Sequence, residues 1–212
     1  MPWLWKLARL VGCYARGNEV SYENGNVTRF QRRVADISIT SSDLRNIGFT
    51  GAVRVARDFL AGLDLGRLGD LRNEAAFMRQ LNEHTNELKA RLQACRAKQG
   101  SVRNNAELWG SARKVINVFL CEAYFNRVLA WRYGLRRIRQ WLEVPLDSEL
   151  AAAIRNEAEQ YGLNGLPAFP AIIRLDENTG QMFQHCASEV AKRRALPARI
   201  YLEVVTWHRA QN

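Results

Sequence analysis

Apolar positions recur at three- and four-residue intervals through most of this chain. The clearest stripe runs from Leu71 to Ala97, where Leu71, Ala75, Met78, Leu81, Thr85, Leu88, Leu92 and Cys95 fall on one side of a helical wheel. That spacing predicts one long amphipathic helix, ended by Gly100. Val53, Ala56, Phe59, Leu60 and Leu63 predict another buried face between Phe49 and Leu63, with Gly62, Gly66 and Gly69 breaking the chain into turns. From Asn104 to Arg132 the pattern changes. Leu108, Ala112, Ile116, Phe119 and Ala123 lie on one face, while Val118, Cys121, Phe125 and Val128 lie nearly opposite. A helix apolar on both sides is normally central and buried. Trp109-Gly110-Ser111 interrupts its early part, with Ser111 as a candidate cap for a helix beginning at Ala112.

The rest of the chain carries weaker punctuation of the same kind. A short N-terminal helix followed by the Gly/Asn-rich stretch 16–26 is expected, then a helix over Val27–Ile39, with Thr40-Ser41-Ser42-Asp43 offering caps for the next helix. Gly134 supplies a stop, a short helix passes through Ile138 and Trp141, and Pro145 halts it so that Asp147 or Ser148 can cap Glu149–Tyr161. Gly165, Pro167 and Pro170 make 162–174 irregular. Asn178–Arg194 is amphipathic, and Pro197 opens a last helix, with a strand over the β-branched run Ile200–Val205 as the alternative. The fold class read from this pattern is all-α, a single helical domain over 1–212 with an N-terminal part (1–99) and a second part (100–212).

Composition changes this picture in two ways. The chain has 212 residues and a net charge of +10, and the basic excess rests on 26 arginines against five lysines. Arginine grips phosphate in a bidentate fork but does not deprotonate to act as a nucleophile. Clusters at Arg29/Arg32/Arg33, Arg132/Arg136/Arg137/Arg139 and Lys192/Arg193/Arg194/Arg199 would neutralise a polyanion if they converged on one face, and would otherwise be solvated surface. The four cysteines and three histidines are scattered without Cys-x-x-Cys spacing, which argues against a disulfide framework, a zinc ribbon or a cysteine-ligated cluster. Lys6 and Arg9 interrupt the N-terminal apolar segment before it reaches the length of a signal core, and no membrane span is legible, so a soluble, cytoplasmic protein is expected.

Among the few lysines, Lys114 stands on an apolar strip with Val118, Cys121 and Phe125, three residues after the candidate cap Ser111. Burial and the positive end of a helix both disfavour an ammonium there, which is what an amine nucleophile that forms a Schiff base requires. The plain alternative is a lysine that snorkels to water or pairs with a carboxylate. Asp147 reads as an ordinary N-cap unless its helix packs beside the start of the Lys114 helix. A carboxylate would then face the lysine, a pairing suited to attack at an anomeric carbon.

Ser111-Ala112-Arg113-Lys114 entering an apolar helix, followed by Leu142-Glu143-Val144-Pro145-Leu146-Asp147-Ser148-Glu149-Leu150, resembles the lysine-plus-aspartate core of the helix-hairpin-helix DNA glycosylase superfamily. The interval of 33 residues, and the C-terminal run ending in Leu202-Glu203-Val204-Val205-Thr206-Trp207, are similar to the divergent archaeal 8-oxoguanine DNA glycosylase branch. The resemblance covers roughly residues 100–207. It implies a helix-hairpin-helix glycosylase-like fold, with Lys114 as nucleophile and Asp147 as catalytic carboxylate. It also implies Glu203 and Trp207 in the base pocket, and Gly110, Ser111 and Arg113 on the backbone of damaged, double-stranded DNA. No metal or organic cofactor is implied. Against this DNA glycosylase with AP-lyase activity stand a non-catalytic helical nucleic-acid-binding protein and a helical interaction module that docks through the 71–97 helix.

Overall fold

A computed structural model describes residues 24–40, 43–44, 47, 51–98 and 108–207. The expected N-terminal helix, Ser41 and Ser42 lie outside the described residues. Nine α-helices and two 3-10 turns make up the described residues, with no strand among them. They are α1 (Asn24–Ser38), α2 (Ala52–Ala61), α3 (Leu65–Gly69), α4 (Glu74–Lys98), α5 (Trp109–Phe125), α6 (Arg127–Arg132), α7 (Ser148–Gln160), α8 (Glu177–Arg193) and α9 (Tyr201–Trp207). The 3-10 turns are Leu135–Ile138 and Ile172–Arg174. The chain is all-α. Among the described residues no helix is long and apolar enough to cross a membrane.

The apolar stripes decide how these elements pack. Helix α5 is the centre: α1, α2, α4 and α8 all lie against it, as expected of a helix apolar on both sides. Helix α4 turns Phe77, Leu81, Thr85, Leu88 and Leu92 inward. Leu81, Thr85, Leu88 and Leu92 of the predicted stripe are thus buried in the chain's own core, while Ala75 is exposed and Leu71, Met78 and Cys95 are half-buried. Two apolar cores result. The larger gathers α1 to α6 and the turn through Ile138, and the smaller gathers α7, α8 and α9 around Phe183, Ile154 and Leu202, joined by Trp109 at the start of α5. Buried Gln31 ties α1 to the end of α2 by donating to the carbonyls of Leu60 and Leu63 at 3.0 and 2.7 Å, satisfying carbonyls that a helix end leaves open.

Two local expectations need correction, and one alternative is settled. Ser111 caps nothing: α5 begins at Trp109, its N-cap Leu108 is in the left-handed region at φ 56°, and Ser111 sits buried inside the first turn. Trp109-Gly110-Ser111 is therefore helix, and the real interruption falls at Asn126, whose side chain accepts from the amides of Val128 and Leu129 and starts α6. Gly66 and Gly69 belong to the short helix α3 rather than to turns; a Cβ on Gly69 would collide with the carbonyl oxygen of Tyr133. At the C-terminal end the expected last helix forms as α9, Tyr201–Trp207, and the strand alternative over Ile200–Val205 is not taken.

Candidate active site

The segment between the 3-10 turn and α7 is held from both sides before it reaches Asp147. Gln184 on α8 accepts from the Val144 amide at 3.0 Å and donates to the Val144 carbonyl at 2.7 Å, the pairing a neighbouring strand would otherwise make. Buried Arg199 donates to the carbonyls of Leu142 and Trp141 at 2.9 and 2.7 Å. Pro145 then keeps the chain extended, and Asp147 caps α7, its Oδ1 accepting from the Leu150 amide at 2.9 Å. One carboxylate oxygen is thus fixed by the helix it starts, and the other is left to face α5.

Helix α5 is brought to it by close backbone contact. The Gly110 amide donates to the Leu175 carbonyl at 3.1 Å, and a Cβ on Gly110 would come within 2.3 Å of the Ile172 oxygen. Only glycine allows this approach. Lys114, one turn further on, places its Nζ 3.5 Å from Asp147 Oδ2 and 3.8 Å from Asp43 Oδ1. Its side chain is 13% exposed, Asp147's is 36% and Asp43's is 9%. The lysine lies at a rim, with a buried carboxylate behind it and an open one in front.

Asp43 is the residue that sequence reasoning missed as a member of this site. It reads locally as a cap, and its Oδ2 does accept from the amide and hydroxyl of Thr40, both at 2.8 Å. Its second oxygen reaches Lys114 only because α1 packs on α5, which no local pattern announces. The carboxylate expected to face the lysine, Asp147, is joined by a second one, Asp43.

Glu203 joins the cluster from α9. Its Oε2 accepts from the Cys121 thiol at 3.4 Å, and the charges of Asp147, Lys114 and Glu122 act on it. Burial pushes the Glu203 carboxyl up to about 7, helped by Glu122 and Asp147 and opposed by the thiol hydrogen bond and Lys114. Burial also holds the Cys121 thiol well above its usual range, with the Glu203 charge adding to it. Trp207 is the last residue of α9, one turn beyond Glu203; its side chain lies outside the described residues.

Gly110, Ser111 and Arg113 were expected on a DNA backbone, and the structure places all three inside. The Gly110 amide is engaged by Leu175, and Ser111 is buried. Arg113 forms a fork with Glu143, Nε to Oε2 at 2.8 Å and Nη2 to Oε1 at 3.0 Å, and its Nη1 donates to Asn82 and Thr85 of α4 at 2.8 and 2.9 Å. Asn117 donates to the same carboxylate at 2.9 Å. Burial raises the Glu143 carboxyl, but the Arg113 charge and hydrogen bonds, together with Arg199 and Asn117, outweigh it and hold it below its ordinary value. These groups are structural, and a phosphate has no route to them.

The space around the site is unequal. A void of about 10 Å³ lies among Trp109, Arg113, Lys114, Asn117, Glu143 and Leu175, room for about one water. A groove of about 620 Å³ lies elsewhere, between α4, α8 and the chain around Trp141 and Pro197, and includes neither Lys114 nor Asp147. Access to the pair is therefore from the open side of Asp147. Among the described residues no group of three or more His, Cys, Asp or Glu is arranged to hold a metal ion.

Fold and site define an all-helical protein with a lysine–carboxylate centre where two helical cores meet. Compared with models of known protein families, with curated proteins and with solved structures, the chain matches none.

Proposed function

We propose that this protein is a DNA glycosylase with associated lyase activity, removing an oxidised purine such as 8-oxoguanine through a Schiff base at Lys114. The observation that carries the reading is the 3.5 Å contact between Lys114 Nζ and Asp147 Oδ2 at the rim of the seam. The two residues are 33 positions apart in sequence and meet from different elements, which supports the reading drawn from the resemblance of Ser111–Lys114 and Leu142–Leu150. The net charge of +10 supplies the general attraction for a polyanion.

The chemistry follows from the positions of the three groups. Asp43 Oδ1, 3.8 Å away on the buried side, is placed to take the ammonium proton through a water, and the Asp147 carboxylate faces the sugar. As the C1′–N9 bond breaks, its electron pair leaves with the purine, and the Asp147 carboxylate stabilises the positive charge that grows on the sugar. The Lys114 amine forms the new bond to C1′. Opening of the ring puts the electron pair of C1′–O4′ on O4′, which takes a proton, and leaves a protonated imine. Loss of a C2′ proton then expels the 3′ phosphate and breaks the strand.

Borohydride trapping on duplexes containing 8-oxoguanine, uracil or an abasic site tests this directly. The wild-type protein gives a covalent adduct and Lys114→Gln gives none; the lesion that supports the adduct names the substrate. No adduct on any duplex, with DNA binding intact, overturns the enzyme reading. It would favour the second one, a non-catalytic helical nucleic-acid-binding protein. The small void beside Lys114 is the observation on that side, since an extruded base has no enclosed room there.

A further inference from the structure

Three basic clusters stand in the sequence, and the fold treats them differently. In the C-terminal one Arg199 is buried on carbonyls, Arg194 pairs with Glu157 at 2.9 Å, and Lys192 and Arg193 both meet Glu189. Its charge is spent within the molecule. On α1, Arg29 and Arg33 are exposed, while Arg32 pairs with Asp58 at 2.9 Å. The third cluster sits on α6 and the 3-10 turn that follows it. From Arg127 to Leu142 the chain holds five arginines and no acidic residue. Arg127, Arg132 and Arg136 are exposed there, and Arg137 meets Asp70 at 2.7 Å.

In the middle of this cluster stands Trp131, 75% exposed, the most exposed large apolar side chain among the described residues. By itself one exposed indole is ordinary; its place within a run of arginines is what marks it. Trp131 lies four residues after Arg127 on α6, so the two share a helix face, and Arg132 is its neighbour in sequence. An exposed aromatic ring in a segment with five arginines and no acidic residue has the composition of a surface that holds an unpaired nucleic-acid strand. The ring stacks on a base and the arginines meet the flanking phosphates. A base within a duplex has both faces covered, so the ring selects an unpaired one.

Position adds to this. Trp131 lies on α6, which begins where α5 ends, and the twelve residues from Lys114 to Phe125 put about 17 Å of helix between Lys114 and that end. We propose that Trp131, with Arg127, Arg132 and Arg136, forms a second DNA contact that stacks on an unpaired base in single-stranded DNA flanking the duplex engaged at Lys114. This rests on the reading of the chain as a DNA-acting protein, but on residues outside the Lys114 centre.

The test is anisotropy titration of two labelled abasic duplexes, one blunt and one carrying an oligothymidine arm on the cleaved strand, with borohydride trapping of the blunt duplex run in parallel. Wild type binds the armed duplex more tightly than the blunt one. Trp131→Ala weakens binding of the armed duplex by about tenfold and erases the difference, while Trp131→Phe keeps most of it. Arg127→Ala/Arg136→Ala lowers the steepness of the salt dependence on the armed duplex by about 1.4 in the log–log slope, the loss of two phosphate contacts to a single strand. Trapping of the blunt duplex by saturating Trp131→Ala stays at the wild-type level. Equal affinity of wild type and Trp131→Ala for the armed duplex overturns the proposal, even where trapping shows Lys114 to be active. Absence of trapping with the Trp131 effect intact overturns the glycosylase reading and leaves the stacking surface standing. Trp131 is solvent-exposed, so its replacement does not threaten folding.

Discussion

Arg113 and Lys114 are consecutive residues on the first turns of α5, and their charges meet opposite surroundings. Successive side chains on a helix point about 100° apart, so one enters the contact with α4 and the 142–147 segment while the other reaches the rim. Arg113 is almost fully buried and every partner lies within 3.0 Å in a planar fork. Lys114 meets two carboxylates at 3.5 and 3.8 Å, too long for good hydrogen bonds, with one of them open to solvent. The difference separates a charge locked into the fold from a charge held loosely at its rim. Arginine suits the first role because its guanidinium stays charged and satisfies several acceptors at once; lysine suits the second because it can give up a proton.

The largest effect should come from breaking the buried fork. Arg113→Ala leaves Glu143 with an uncompensated charge in the interior and is expected to cost about 3–5 kcal/mol in a urea titration, enough to threaten folding. The double variant Arg113→Met/Glu143→Leu removes both charges and should recover most of that loss. A cost under about 1 kcal/mol for the single variant would sink the structural role. The same fork fixes an acid limit. Because the folded-state pKa of Glu143 lies below its ordinary 4.5, its stabilisation is complete above that value and is lost as pH falls through the depressed one.

Next in size is Glu203, where the sign reverses. Its carboxyl is held up to about 7 against an ordinary 4.5, so between those values the folded chain binds more protons than the unfolded one. Stability from this group is present below 4.5 and is lost as pH rises through about 7. The loss is at most about 3 kcal/mol. Glu203→Gln keeps an acceptor for Cys121 and does not ionise, so the variant should gain on wild type steadily from pH 5 to pH 8. Parallel melting curves for the two proteins across that range would show that the carboxyl is not buried as described.

Local order was legible where one element's own residues decide it. The stripe of α4, the two-sided apolarity of α5 and the Asp147 cap all follow from spacing and from cap chemistry. Gly110 misled because a glycine near a helix start reads as a breaker, whereas here it permits backbone contact with Ile172 and Leu175 that is invisible before the fold is known. Arg113 misled for a related reason: beside a candidate nucleophile an arginine suggests phosphate, and only the tertiary partner Glu143, 30 residues away, shows it to be spent. Asp43 lay hidden behind its own local role with Thr40.

Asp43 offers the next test. Asp43→Asn keeps an oxygen for the Thr40 donors but removes the carboxylate on the buried side of Lys114. Single-turnover trapping on the preferred lesion should slow by about tenfold, some 1.4 kcal/mol of barrier, with the yield at long times unchanged. A rate equal to wild type would assign proton acceptance to Asp147 alone.

The smallest expected effect is the one that most sharpens the contrast with Arg113. Lys114→Gln removes two long ion pairs, one to half-exposed Asp147 and one to buried Asp43 whose other oxygen stays on Thr40, so its cost should be about 1 kcal/mol by urea titration, well under that of Arg113→Ala. The two remaining carboxylates repel weakly, because Asp147 is open to solvent and its Oδ1 stays fixed on the Leu150 amide. Near-native stability combined with complete loss of the trapped adduct would place Lys114 in chemistry and not in architecture. A cost approaching that of Arg113→Ala would mean that the lysine is a second structural cation, and that the seam between the two cores is held together by it.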